Sequence, residues 1–206
     1  MLNENCGSSR KPSLLSAVPP PHVAAMIGVT SPLLPSFVYI NLRPGEMVIT
    51  AQPAIITTLL GSCISICLYH PAKKTGGMCH CLLPSNRGTN RYKSPYNFVN
   101  DTISHMIEVM VNDHGIHLPE IKVKLFGGAN VLPTGKPPGK EGDSIGEQNI
   151  LTARSVIRRY GLEITSQRVG GEHGYKLFFN TQTGEVFLRF VTNRNAENPV
   201  ESGRGK

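Results

Sequence analysis

The stretch from Ala54 to Pro84 constrains this chain most, because its apolar residues come in continuous or period-two runs broken at Gly61-Ser62 and over the connection from His70 to Gly77. Ala54 to Leu60 is continuous and rich in β-branched residues, the pattern of a strand buried on both faces. Gly61-Ser62 breaks it. Cys63 to Tyr69 then alternates, so Ile64, Ile66 and Leu68 point one way and Cys63, Ser65 and Cys67 the other. A connection from His70 to Gly77 leads into a third strand, Met78 to Leu83, which Pro84 ends. Such a run cannot be a helix. It demands a sheet with an apolar layer on either side.

The remaining pattern adds two helices and further strands. Met47 to Thr50 reads as a short strand after the turn Arg43-Pro44-Gly45. Ser94-Pro95 is a helix start, Ser as cap and Pro at the first helical position. Val99, Ile103, Met106, Ile107 and Met110 follow on one helical face, and Gly115 is placed to end it. His105 and His114 fall off that stripe and read as solvent-facing. Ile121, Val123 and Leu125 alternate into Phe126-Gly127-Gly128. Leu132 to Gly146 is a long loop rich in proline and glycine. A second helix spans Glu147 to Tyr160, and Leu162 to Arg168 is a strand. Tyr175–Asn180 and Glu185–Val191 form a hairpin around Thr181-Gln182-Thr183-Gly184. Strands mostly follow one another directly, which predicts an α/β (α+β) domain with mixed or antiparallel sheets.

The 206 residues suit one domain with irregular ends. Residues 1–36, with six prolines among Ser, Ala and Val, are expected to be an extended, disordered arm. The folded domain is expected over 37–192, and 193–206 form a polar, disordered tail. Net charge is +7, but Lys and Arg are scattered, so the basic balance reads as a solvated surface rather than a nucleic-acid footprint. The N-terminus lacks the pattern of a secretory signal, and no apolar run is long enough to span a bilayer. With an odd cysteine count, five, the expectation is a cytoplasmic protein with reduced thiols.

Four of those cysteines lie between Thr57 and Pro84. Cys63 follows Gly61-Ser62, where a missing side chain allows close approach to a carbonyl. The Ser62 and Cys63 turn can offer backbone amides to an oxyanion. His80, 17 residues on, can meet Cys63 if the intervening loop makes the two strands neighbours. An imidazole there would take the thiol proton. Thr57 offers a hydroxyl to orient the ring. Asp101 is the sole carboxylate between residues 47 and 107, so a carboxylate would have to come from elsewhere.

Two other readings of the cysteines compete. Each thiol could simply fill a strand, as Cys67, Cys79 and Cys81 are expected to do. A zinc site would need Cys79 and Cys81 to turn with His80, although they face opposite to it on a strand. The glycine pairs Gly76-Gly77, Gly127-Gly128 and Gly170-Gly171 read as turn or bulge positions. They belong to no nucleotide-binding pattern, and neither cofactor nor metal is expected.

The blocks LGSCISICLYHP and GGMCHCLLP resemble the two signature blocks of the CheD family, the chemoreceptor glutamine deamidases of bacterial chemotaxis. KLFGGANVL, IGEQNI and VGG…LFFNTQTGEVFLRF extend the resemblance over residues 45–191. It implies a sandwich of packed sheets with flanking helices, a cysteine hydrolase fold related to deamidase toxins. It implies Cys63 as nucleophile, His80 as base and Thr57, with Thr58 adjacent, as the orienting residue. The implied activity is that of a protein-glutamine glutaminase acting on methyl-accepting chemotaxis receptors at cytoplasmic receptor arrays. A CheC-type phosphatase is an implied partner. An adaptor that docks these proteins without catalysis is the alternative. Arg168 and Tyr175 stand where the family usually has Asp and Arg.

Overall fold

The computed structural model describes residues 37–86, 94–130 and 144–191, and the backbone of 13–15. Ten strands form two five-stranded sheets. They are β1 (Ser13–Leu15), β2 (Val38–Asn41), β3 (Glu46–Thr50), β4 (Ala54–Leu60) and β5 (Ile64–His70). Then come β6 (Thr75–His80), β7 (Lys122–Gly127), β8 (Ile164–Val169), β9 (Tyr175–Asn180) and β10 (Val186–Phe190). One sheet runs β1-β2-β4-β9-β10 and the other β3-β6-β5-β7-β8. Both are mixed, since β2 lies parallel to β4 and β7 to β8, while the other pairs are antiparallel.

The period-two pattern sorts residues into layers. Ile56, Leu60, Leu177 and Phe179 of the first sheet meet Val48, Cys67, Tyr69, Met78 and Phe126 of the second in one core. Ile64, Ile66, Leu68, Cys79 and Cys81 turn to the other side of the second sheet. There they pack under helices α1 (Val99–Glu108) and α2 (Ile145–Arg159). The domain is therefore a sheet-on-sheet sandwich with helices against one face. Burying Ile64, Ile66 and Leu68 is worth about 1.5–3 kcal/mol each. A one-residue slip of β5 would place polar Ser65 under the helices, so the burial fixes the register and with it the facing of Cys63.

Several boundaries differ from the sequence reading. Ser94 caps a 3-10 turn, Pro95–Asn97, and α1 begins only at Val99 after an extended Phe98. The expected apolar face is buried as predicted. α2 begins at Ile145, with the Ser144 hydroxyl accepting from the Glu147 amide at 3.2 Å. Gly76-Gly77 is not a turn. Both residues lie inside β6, where a Cβ on Gly76 would press on the Phe179 ring at 3.0 Å and one on Gly77 on the Val48 carbonyl at 3.2 Å. Close packing from both sides, rather than chain reversal, requires those glycines. The turn before them is shorter, Pro71 to Lys74. Within the expected arm, Ser13–Leu15 pairs antiparallel with β2. The rest of the arm, the tail, residues 87–93 and most of the loop from Leu132 lie outside the described residues.

Candidate active site

Cys63 occupies the turn that joins β4 to β5, one residue before β5 begins. Ser62 is exposed and Cys63 half-buried, so the thiol sits at the rim of the inter-sheet core. The turn is held by its carbonyls. Gly61 O accepts from the Ala129 amide at 2.8 Å, and Cys63 O from the Gly128 amide at 2.8 Å. Ser62 O accepts from Asn149 Nδ2 at 3.2 Å. Among the described residues, the Ser62 and Cys63 amides donate to no backbone carbonyl outside the strands and helices.

The β5–β6 register sets the relation to His80. Cys67 is opposite Met78 and Ile64 opposite Cys81, with equal counts between, so the register holds across this stretch. Ser65 therefore faces His80, and Cys63 lies one diagonal step away on the same face. Diagonal neighbours of this kind have Cα atoms about 7–8 Å apart, within reach of longer side chains. The turn from Pro71 to Lys74 thus makes neighbours of the two strands, as the spacing required.

His80 is 4% exposed, and its ring points between the sheets. Nδ1 lies 2.7 Å from Thr58 Oγ1, and the same hydroxyl donates to the Leu42 carbonyl at 2.8 Å. A hydroxyl has one proton, and a carbonyl can only accept. With that proton spent on Leu42, Thr58 must accept from Nδ1–H. The ring is thereby set as the Nδ1–H tautomer, and the lone pair lies on Nε2. Nε2 is buried with no hydrogen-bond partner among the described residues.

The hydroxyl that orients His80 is that of Thr58, not Thr57. In β4, Ile56, Thr58 and Leu60 face the other sheet, whereas Thr57 shares the outer face with Ile55. Thr57 Oγ1 is buried and has no partner among the described residues.

Burial governs the charge states. It holds His80 down to about 4, with the Leu42 backbone opposing the shift in part. It pushes the Cys63 thiol up, its own backbone amide opposing. Thiol and imidazole therefore rest as a neutral pair near pH 7. The pair is suited to passing a proton when a substrate arrives rather than to storing a thiolate. Cys79 and Cys81, 3.6 Å apart under α1, face away from His80, which separates them from the Cys63 side.

Two supports had no assigned role in the sequence reading. Asn149 of α2 is fully buried and donates to Ser62 O and to Leu82 O, the latter at 2.9 Å. Tyr175 Oη accepts from the Gly127 amide and donates to Arg168 O at 2.6 Å. The two positions that depart from the family pattern are thus bonded to each other. The only sequence signal for Asn149 was its place in the block IGEQNI.

A family model described as CheD chemotactic sensory transduction matches residues 82–190, more than half of the chain. A probable chemoreceptor glutamine deamidase from Geobacter sulfurreducens is 35% identical over 79% of this chain and 96% of its own length. One from Nitratidesulfovibrio vulgaris is 36% identical over 80% of this chain and 82% of its own. Matches of that length in a chain of 206 residues necessarily span positions 57–80. Among solved structures, the Bacillus licheniformis hypothetical protein YfiH aligns with 62% of this chain and 50% of its own at 13% identity and a TM-score of 0.40.

Proposed function

Because the chain belongs to the CheD family, we propose that it hydrolyses glutamine side-chain amides of chemoreceptors to glutamate, with Cys63 as nucleophile. His80 Nε2 takes the Cys63 proton as Sγ forms a bond to the carboxamide carbon. The oxygen gains negative charge and is met by the Ser62 and Cys63 amides. The imidazolium returns its proton to the amide nitrogen, the C–N bond breaks, and ammonia leaves a thioester. Water then attacks the thioester carbon, His80 accepting its proton. Sγ leaves, and the side chain is released as a carboxylate. Thr58 holds the ring in the tautomer that both steps use.

One observation carries this reading: the Leu42–Thr58–His80 chain, which fixes the lone pair on Nε2 of a ring sharing a face with Cys63. The substrate would be the helical cytoplasmic part of a methyl-accepting receptor. Leu59, Lys176 and Arg189 form one cross-strand row beside the Cys63 turn, an apolar and basic rim suited to an acidic helix. No helix among the described residues is long and apolar enough to cross a membrane. On this reading the enzyme works in the cytoplasm at receptor arrays, and a CheC-type phosphatase is a further partner.

The test is intact-mass analysis of a receptor cytoplasmic fragment incubated with the wild type and with Cys63→Ala. Conversion of amide to acid by the wild type alone supports the proposal. Receptor binding by both proteins with no mass change in either would leave a docking adaptor instead.

A further inference from the structure

Asn149 lies far from the reacting groups in sequence, yet its one side-chain amide touches both halves of the site. Nδ2 donates to the carbonyl of Ser62, the residue before Cys63, at 3.2 Å. It also donates to the carbonyl of Leu82, two residues beyond His80, at 2.9 Å. An amide nitrogen has two protons, so both are used. The reverse orientation would set Oδ1 against two carbonyl oxygens, so the contacts themselves fix which end is which. Asn149 is fully buried, and Oδ1 has no partner among the described residues. A side chain that serves packing alone would not place a polar amide there.

The geometry around it is stiff. Gly146, one turn earlier on α2, lies so close to the Gly128 backbone that a Cβ would meet Gly128 C at 2.7 Å. Gly128 in turn donates to Cys63 O. The first turns of α2 are thus wedged against the end of β7, and Asn149 reaches from that wedge to the two segments that carry thiol and imidazole. Between those segments the β5–β6 ladder is locally weak. The continuous ladder begins only at Cys67 opposite Met78, and the Ile66 amide donates to Cys79 Sγ at 3.5 Å.

We propose that Asn149 is a positioning residue that sets the Cys63–His80 separation by clasping the Ser62 and Leu82 carbonyls from α2. The assignment rests on the Cys63–His80 pair proposed above. Its deciding readout, however, needs no receptor. Cys63 is alkylated with iodoacetamide across a pH series and followed by peptide mass in wild type, His80→Ala, Asn149→Ala and the double variant. In the wild type, His80→Ala should shift the midpoint of Cys63 alkylation, because the two groups interact. In the Asn149→Ala background the same change should shift it by less than half as much. Ammonia release from a receptor fragment should fall at least tenfold in kcat with KM little changed.

An equal His80 effect with and without Asn149 overturns the inference. So does the absence of any His80 effect in the wild type, since there would be no coupling to hold. Normal coupling with no receptor deamidation by the wild type would refute the proposed function and leave this inference standing. Melting curves establish that the variants are folded, and if Asn149→Ala is not, Asn149→Ser is put through the same cycle.

Discussion

Thr58 Oγ1 sits 2.7 Å from His80 Nδ1 while donating its own proton to Leu42 O, so one hydroxyl decides which ring nitrogen is basic. The two residues come from different sheets. Thr58 is on β4 and His80 on β6, and the contact exists only because the sheets are stacked with those faces inward.

Replacing Thr58 by Val keeps the shape and removes the acceptor. Nδ1–H is then left buried without its partner, at a cost of about 1–3 kcal/mol. The ring loses its reason to hold one tautomer, and kcat for glutamine deamidation should fall by roughly 10–100-fold with little change in KM. Thr57→Val should leave kcat intact and keep or raise the melting temperature, since it removes a buried hydroxyl that has no partner among the described residues. Steady-state kinetics and thermal melts of the two variants decide between the adjacent threonines. Loss of activity in Thr57→Val alone would reverse the assignment.

The low His80 pKa sets the acid limb of the rate profile. As the proposed base, His80 must be neutral, and burial holds it down to about 4. Activity on a receptor fragment should therefore persist below the ordinary histidine range and fall only as pH approaches 4. The same shift enters stability. A histidine whose folded pKa lies below its unfolded value, about 6.5, stabilises the fold above that value. That contribution is lost as pH falls from about 6.5 toward 4. His80→Gln should flatten this part of the stability profile, and urea titrations at several pH values will measure it. An acid limb near pH 6.5 in the wild type would contradict the burial argument.

Gly127 should tolerate no side chain. Its φ is +104°, and a Cβ would drive into the Cys63 carbonyl and meet Ile64 Cα at 3.0 Å. Gly127→Ala combines backbone strain with a collision at the Cys63 turn. It should cost more than about 2 kcal/mol and abolish activity. Gly170, with φ +74° but open space around it, should lose only about 1 kcal/mol on the same change. Denaturant unfolding of both variants makes the comparison.

Tyr175→Phe keeps the buried ring and removes one hydroxyl. The Gly127 amide and the Arg168 carbonyl lose their common partner. The expected loss is about 1–3 kcal/mol in stability, read from chemical denaturation. Because Gly127 and Gly128 back the Cys63 carbonyl, deamidation should slow as well. A variant as stable as the wild type would show that the bridge between the two departures from the family pattern is dispensable.

Local sequence determined a good deal here. The alternation from Cys63 to Tyr69 assigned Cys63 and Ile64 to opposite faces, and those faces became the inter-sheet core and the helix layer. It also put Cys79 and Cys81 opposite His80. The hairpin after Tyr175 and the buried stripe of α1 followed from period and turn chemistry alone. These features are local because backbone sterics set where each side chain points relative to its neighbours in the chain.

What lies across each face is not local. Thr57 and Thr58 are equivalent hydroxyls in the sequence, and only the stacking of one sheet on the other selected Thr58. Gly76-Gly77 looked like a turn until Phe179, Val48 and Met106 packed against it from outside its own strand. Asn149 is one polar residue in a helix of ordinary pattern. It became a clasp because α2 docks with Gly146 against Gly128, which brings its amide to Ser62 and Leu82 together. Such contacts join segments far apart in the chain, so they are decided by tertiary packing and leave no periodic trace in the sequence.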